Sequence, residues 1–181
     1  VRNDFKIIIR SFDLDAILIA ENLTDAICQK GAFGLVQALL DVIKPAYGFE
    51  LNLNSDFPVG SGLGGSATLS AVVLGCFNML REDQWNQHEV AEIAFQAERL
   101  HLGIAGGWQD QYAAVFGGFN FIEFHADENI VHPIRVHSDI ASELEESLIL
   151  CDTGIEHHSG NIHDNQKQTM TSAAVRKMVK A

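Results

Sequence analysis

Apolar residues recur along this chain with two different periods. Phe5 to Ile9 and Asp13 to Ile19 are short runs rich in Ile and Phe, which predicts two strands with a bend at Arg10-Ser11. From Thr24 to Lys44 the positions Ala26, Ile27, Phe33, Leu35, Val36, Leu39, Leu40 and Ile43 return at helical spacing; Thr24 or Asp25 can cap the start and Pro45 stops the run. Tyr47 to Asn54 alternates, with Phe49, Leu51 and Leu53 on one side and Glu50, Asn52 and Asn54 on the other, as a half-buried strand does. A turn-rich segment, Ser55 to Gly65, then opens directly into the small apolar run Ser66 to Leu80, which reads as a buried helix.

A second helix is predicted over Asn86 to His101, with Val90, Ile93, Ala94, Ala97 and Leu100 on its apolar stripe. Glu98 lies about 100° from the centre of that stripe, so it reaches a half-buried cleft instead of open solvent. Gln109 to Phe116 is a short helix stopped by Gly117-Gly118. Phe119 to Phe124, Ile130 to Val136 and Ser147 to Cys151 read as strands, and Ser159 to Ala181 as a final helix. The order β-β-α-β-α-α-β-β-β-α mixes hairpins with single helices and predicts an α+β domain.

At 181 residues, 47% hydrophobic and 20% charged, the chain is expected to form a single domain over 1–181. Twelve Lys+Arg against 24 Asp+Glu give a formal net charge of −12, which argues against nucleic acid or an anionic membrane as partner. Any phosphate must therefore be held by local geometry. Cys28, Cys76 and Cys151 have no disulfide or zinc spacing, so a reducing, cytoplasmic setting is expected. The run Ala67 to Leu80 is interrupted by polar residues and is shorter than the roughly 20 that span a bilayer. Val1 replaces the usual initiator Met, which predicts a chain truncated at its ends.

The segment before Ser66 carries the strongest chemical signal. A glycine-rich turn leading into a helix aims several backbone N–H groups at one point, and the helix dipole adds partial positive charge there. A phosphate can then be held without Lys or Arg; the same turn also serves merely to pack a strand against a helix. The Walker pattern fails, because no lysine lies between Pro45 and Ser66. The dinucleotide fingerprint matches literally as Gly60-x-Gly62-x-x-Gly65, but Pro58 intervenes before it and no strand with a ribose-binding acid follows.

Pro58-Val59-Gly60-Ser61-Gly62-Leu63-Gly64-Gly65-Ser66-Ala67 resembles the phosphate-binding motif of the GHMP kinases, Pro-x-x-x-Gly-Leu-Gly-Ser-Ser-Ala, with Gly65 in place of the first serine. Glu98-Arg99-Leu100-His101-Leu102-Gly103-Ile104-Ala105-Gly106-Gly107-Trp108-Gln109-Asp110-Gln111-Tyr112 is similar to the branch of heptose 7-phosphate and fucose-type sugar kinases. The resemblance implies the family's α+β N-terminal domain with its ribosomal-protein-like topology, a mixed sheet packed against helices, and a second domain absent from this chain.

It also implies ATP along Pro58 to Ala67, Mg²⁺ held by Ser66 and Glu98, and Asp110 facing the acceptor hydroxyl. Around a sugar or sugar phosphate substrate it gathers Gly106, Gly107, Gln109, Asp110, Thr153 and Gly154. Two departures stand out: Trp108 occupies a usual Lys position, and His157 replaces Arg in Thr153-Gly154-Ile155-Glu156-His157. Either the Trp108 indole packs under the loop, or a cation is lost beside the substrate. His157, His158 and His163 lack a recognisable metal spacing. The alternative to an active kinase is an inactive nucleotide-binding fragment or a structural remnant. Apolar surface left by an absent second domain also raises the prospect of a homodimer.

Overall fold

Every second side chain of the first strand, β1 (Ile7–Ser11), is buried, so Ile7, Ile9 and Ser11 face one side. β2 (Ala16–Ala20) pairs with it antiparallel, with Ile7 opposite Ala20 and Ser11 opposite Ala16. β3 (Phe49–Leu53) pairs with it parallel, with Ile7 opposite Phe49. The result is a three-stranded mixed sheet in the order β2-β1-β3. The computed structural model describes residues 1–104, 106–151 and 154. The bend predicted at Arg10-Ser11 lies later: β1 continues through Ser11, and the chain turns at Phe12–Asp15, where Asp15 takes a φ of 44°. Arg10 pairs with Glu50 across the exposed face of the sheet.

The helix predicted over Thr24 to Lys44 is two helices, α1 (Leu23–Cys28) and α2 (Gly34–Ile43). Gln29 leaves helical geometry at ψ 135°, and Gln37 explains how the break is tolerated. Its buried amide donates to the carbonyls of Ala26 and Gln29, both at 2.7 Å, supplying partners that a continuous helix would have provided internally. Asn22, not Thr24 or Asp25, caps α1 by accepting from the Asp25 backbone N–H.

Three longer elements follow: α3 (Gly65–Asn78), α4 (Gln87–Gln96) and α5 (Gln109–Phe116). Asn86 and Glu89 close a reciprocal capping box at the start of α4. α3 packs on α2, α4 and α5, and its Val73, Leu74 and Phe77 join Ile7, Ile9, Leu39, Leu40 and Phe49 in one core between helices and sheet. Phe77 meets Phe49 edge-on, with ring centroids 5.0 Å apart.

β4 (Asn120–Phe124) and β5 (Asn129–Pro133) form a separate antiparallel pair. The strand predicted at Ser147 to Cys151 is not one. Ser138–Ser147 is a helix, α6, and Leu148, Ile149 and Leu150 after it are 69%, 87% and 78% exposed. Ile140 and Leu144 stand one turn apart amid Asp139, Glu143, Glu145 and Glu146, a helical period that outweighs the short apolar run following it. The helix predicted over Ser159 to Ala181 falls outside the described residues. Replacing Gln37 by Ala strands two carbonyls at the α1–α2 break, and a loss of about 1–3 kcal/mol in urea-unfolding stability is expected.

Candidate active site

The loop entering α3 owes its shape to alternating glycines. Gly60, Gly62 and Gly64 take φ values of 78°, 76° and 72°, which L side chains adopt only at a cost. Gly64 is the N-cap of α3, and no side chain caps that end. The 14-residue helix thus begins with backbone N–H groups of its first turn facing an open surface. Ser66 does not cap this helix. It sits in the first turn, and its hydroxyl is committed to a different partner.

That partner is Glu98. α4 runs into a π-helical turn over Ala97–His101, and the wider turn buries two consecutive residues, Ala97 at 0% and Glu98 at 3% exposure. Ser66 Oγ donates to Glu98 Oε1 at 2.6 Å, and Gln111 Nε2 donates to Glu98 Oε2 at 2.5 Å. The Arg99 guanidinium stands 3.6 Å from the same carboxylate. A buried carboxylate is tolerable when both oxygens are hydrogen-bonded and a cation is adjacent, as they are here.

Arg99 also holds the next loop. Its guanidinium donates to the carbonyls of Ile104 and Gly107, each at 3.4 Å, and it occupies the space a Cβ on Gly106 would need. A Cβ on Gly107 would likewise displace the Gln109 side chain. The loop leads into α5, whose first turn carries half-buried Asp110 beside fully buried Gln111. The Trp108 indole stacks face to face on Phe95 of α4, with centroids 3.5 Å apart and planes 5° from parallel. It therefore packs against α4, where the sequence had offered packing under the loop.

Tyr112 fixes α5 in place. Its hydroxyl donates to Glu92 at 2.6 Å and accepts from Asn129 at 3.0 Å. Burial, with the Glu92 carboxylate adding to it, pushes the phenol up to about 12 from its usual 10.

Ser66, Glu98 and the α5 turn carrying Asp110 are brought together through hydrogen bonds; Gly60 to Ala67 form the adjoining loop and helix start. Gly154, with a φ of 65°, lies in a separate segment, and Thr153 is outside the described residues. Gln111 was missed by sequence reasoning. Its position beside Asp110 was the available signal, since an amide three residues after a Gly-Trp pair points to no chemistry alone. Gly65 has a local reason: a Cβ there would come within 3.1 Å of the Phe57 ring. Two clefts of about 290 and 490 Å³ lie elsewhere, and neither is lined by Ser66, Glu98 or Asp110.

Residues 30–118 match the family described as GHMP kinases N terminal domain. The chain carries a GHMP kinase N-terminal domain. It is similar to the D-glycero-alpha-D-manno-heptose 7-phosphate kinase of Campylobacter jejuni, at 44% identity over 70% of this chain and 38% of that protein. It is also similar to the L-fucokinase/L-fucose-1-P guanylyltransferase of Bacteroides fragilis, at 29% identity over 84% of this chain and 18% of that protein. The crystal structure of a D-glycero-D-manno-heptose 1-phosphate kinase from Bacteriodes thetaiotaomicron superposes with a TM-score of 0.68 and 29% identity, covering 80% of this chain and 49% of that one. The chain thus spans well under half the length of these two curated relatives.

Two outcomes test the GHMP site's architecture. Gly64→Ala forces a side chain into the left-handed region, and a stability loss of about 1–2 kcal/mol is expected in urea unfolding. The raised Tyr112 phenol implies stability that is complete below pH 10, where the unfolded tyrosine is still protonated, and is lost as pH rises through about 12. Tyrosinate absorbance at alkaline pH should therefore lag the free amino acid, and Tyr112→Phe should flatten the alkaline loss of stability.

Proposed function

We propose that this chain is the ATP-binding part of a Mg²⁺-dependent sugar kinase that phosphorylates a hydroxyl of a sugar or sugar phosphate of the heptose or fucose type. The observation that carries the reading is the 2.6 Å hydrogen bond between Ser66 in the first turn of α3 and Glu98 in the π-helical turn, 32 residues apart in sequence, which meet beside the glycine loop. Both are hard oxygen donors, the type Mg²⁺ takes. Among the described residues no group of three or more His, Cys, Asp or Glu could hold a metal. That suits Mg²⁺, which is commonly held by one or two protein oxygens with phosphates and water completing its shell.

The division of labour follows from the positions. Backbone N–H groups at the start of α3 and along Pro58 to Ala67 hold the phosphates, replacing the lysine that the loop lacks. Ser66 Oγ and Glu98 hold the cation. Mg²⁺, when bound, offsets the charge on the β- and γ-phosphates. Asp110 orients the acceptor hydroxyl and accepts its proton as the oxygen attacks the γ-phosphorus and the bond to ADP breaks. The family resemblance assigns the acceptor side to Gly106, Gly107, Gln109 and Gly154, and also to Thr153, which lies outside the described residues. Trp108, stacked on Phe95, supplies no positive charge of its own to the acceptor side.

The proposed setting is the cytoplasm, where Cys28, Cys76 and Cys151, all exposed, stay reduced. No described helix is long and apolar enough to cross a membrane. The exposed Leu148, Ile149 and Leu150 support a homodimer as part of the same reading.

Phosphorus NMR of Mg²⁺-ATP with this chain and a pool of hexoses, heptoses and their phosphates tests the assignment. A sugar-phosphate resonance should grow in, and Asp110→Asn should slow it by about 10²–10⁴. Perturbed ATP resonances without product would leave a nucleotide-binding fragment, and unperturbed ones would overturn ATP binding.

A further inference from the structure

Gln111 is fully buried and has no place in the division of labour just described. Its Nε2 lies 2.5 Å from Glu98 Oε2, while Ser66 lies 2.6 Å from Glu98 Oε1. The two contacts divide the carboxylate: one oxygen is tied to the floor of the site and the other is turned toward the helix start. The amide cannot be reversed, because a carboxylate accepts and never donates, so the NH₂ end must face Glu98. The other end, Oε1, is consequently buried with no hydrogen-bond partner among the described residues. An unmet buried acceptor is costly, and one explanation for its retention in a native site is a donor that arrives with water or an ion.

We infer that Gln111 is a positioning residue for the cation: it locks the Glu98 carboxylate in the orientation that presents Oε1 beside Ser66, and its own Oε1 accepts an O–H from water carried in with the metal. This rests on the kinase reading. The placement of Gln111 one residue after Asp110 gives it a second consequence, since the same α5 turn that sets the acceptor-facing carboxylate also sets the metal-facing one. Outer residues of this kind typically change metal affinity by 10–100-fold when removed. A residue that only filled the core would not discriminate between metal-free and metal-loaded nucleotide.

The experiment uses Mn²⁺ as a paramagnetic probe. Free Mn²⁺ is followed by electron paramagnetic resonance in titrations of the chain with a non-hydrolysable ATP analogue and no sugar present, so that no acceptor hydroxyl contributes. Gln111→Met keeps the length and the apolar packing but neither donates nor accepts as an amide does; Gln111→Asn keeps the amide and falls short of Glu98. Both should weaken Mn²⁺ binding by about 10–100-fold while affinity for the metal-free analogue stays within twofold. If either variant folds by circular dichroism and binds Mn²⁺ as tightly as wild type, the positioning role is overturned and the kinase reading stands. Equal losses of metal-free and metal-loaded binding would also overturn it, because that is the signature of a structural role. A wild-type chain that takes up the analogue but no Mn²⁺ overturns the metal assignment of Ser66 and Glu98 and this inference with it. Should Gln111→Met fail to fold, Gln111→Asn alone decides.

Discussion

A carboxylate that is 3% exposed must be answered on every side, and in this chain the answer to Glu98 organises everything around it. Ser66 reaches it from the start of α3, Gln111 from α5, and Arg99 from the adjacent residue of the π-helical turn. Leaving such a charge without partners would cost several kcal/mol. The three helices are therefore bound to one geometry at this point more tightly than apolar packing alone requires. Arg99 extends the constraint by clasping the carbonyls of Ile104 and Gly107, so the loop before α5 is set by the same charge.

A second set of contacts fixes the orientation of α5. Tyr112 joins Glu92 and Asn129 in a hydrogen-bonded triangle, and Trp108 lies flat on Phe95. Between these two anchors, both on the α4 side, sit Asp110 and Gln111. An indole at Trp108 contributes face-to-face stacking on Phe95, which ties the loop before α5 to α4. Gly65 follows the same logic, since a side chain there would press on Phe57. Two of the three departures from the family pattern, Gly65 and Trp108, thus have packing contacts within this chain, and His157 lies outside the described residues.

Much of this was legible because it depends on local signals. The glycine loop, the capped start of α4, the stop at Gly117-Gly118 and the alternation of β3 are written in adjacent residues. Glu98 was expected in a half-buried cleft and is in fact buried, because the 100° rotation used to place it assumes a regular helix and the π-helical turn does not obey it. The break between α1 and α2 was hidden because Gln37 repairs it from eight residues away. The strand expected at Ser147 to Cys151 rested on the apolar run Leu148, Ile149 and Leu150, and sequence does not say that among the described residues no strand pairs with it. Gln111 was invisible because what marks it out is a contact thirteen residues distant and an atom that has no hydrogen-bond partner among the described residues.

The acidity of the chain and the chemistry of its loop fit together once distances are considered. At physiological ionic strength the screening length is about 8 Å, so most of the net charge of −12 acts weakly on an anion at the α3 terminus. The local field decides. A helix N-terminus attracts an anion by about 0.3–1 kcal/mol at an exposed site and up to about 2 in better geometry. A carboxylate some 4 Å from a phosphate repels it by about 4 kcal/mol at an effective dielectric constant near 20. The Arg99 guanidinium, 3.6 Å from Glu98, offsets part of that repulsion, and a cation between carboxylate and phosphate would remove the rest. On the kinase reading, Glu98 hydrogen-bonded to Ser66 would disfavour bare polyphosphate at the glycine loop and favour polyphosphate that arrives with its metal, to the extent that Arg99 leaves the carboxylate's charge uncompensated.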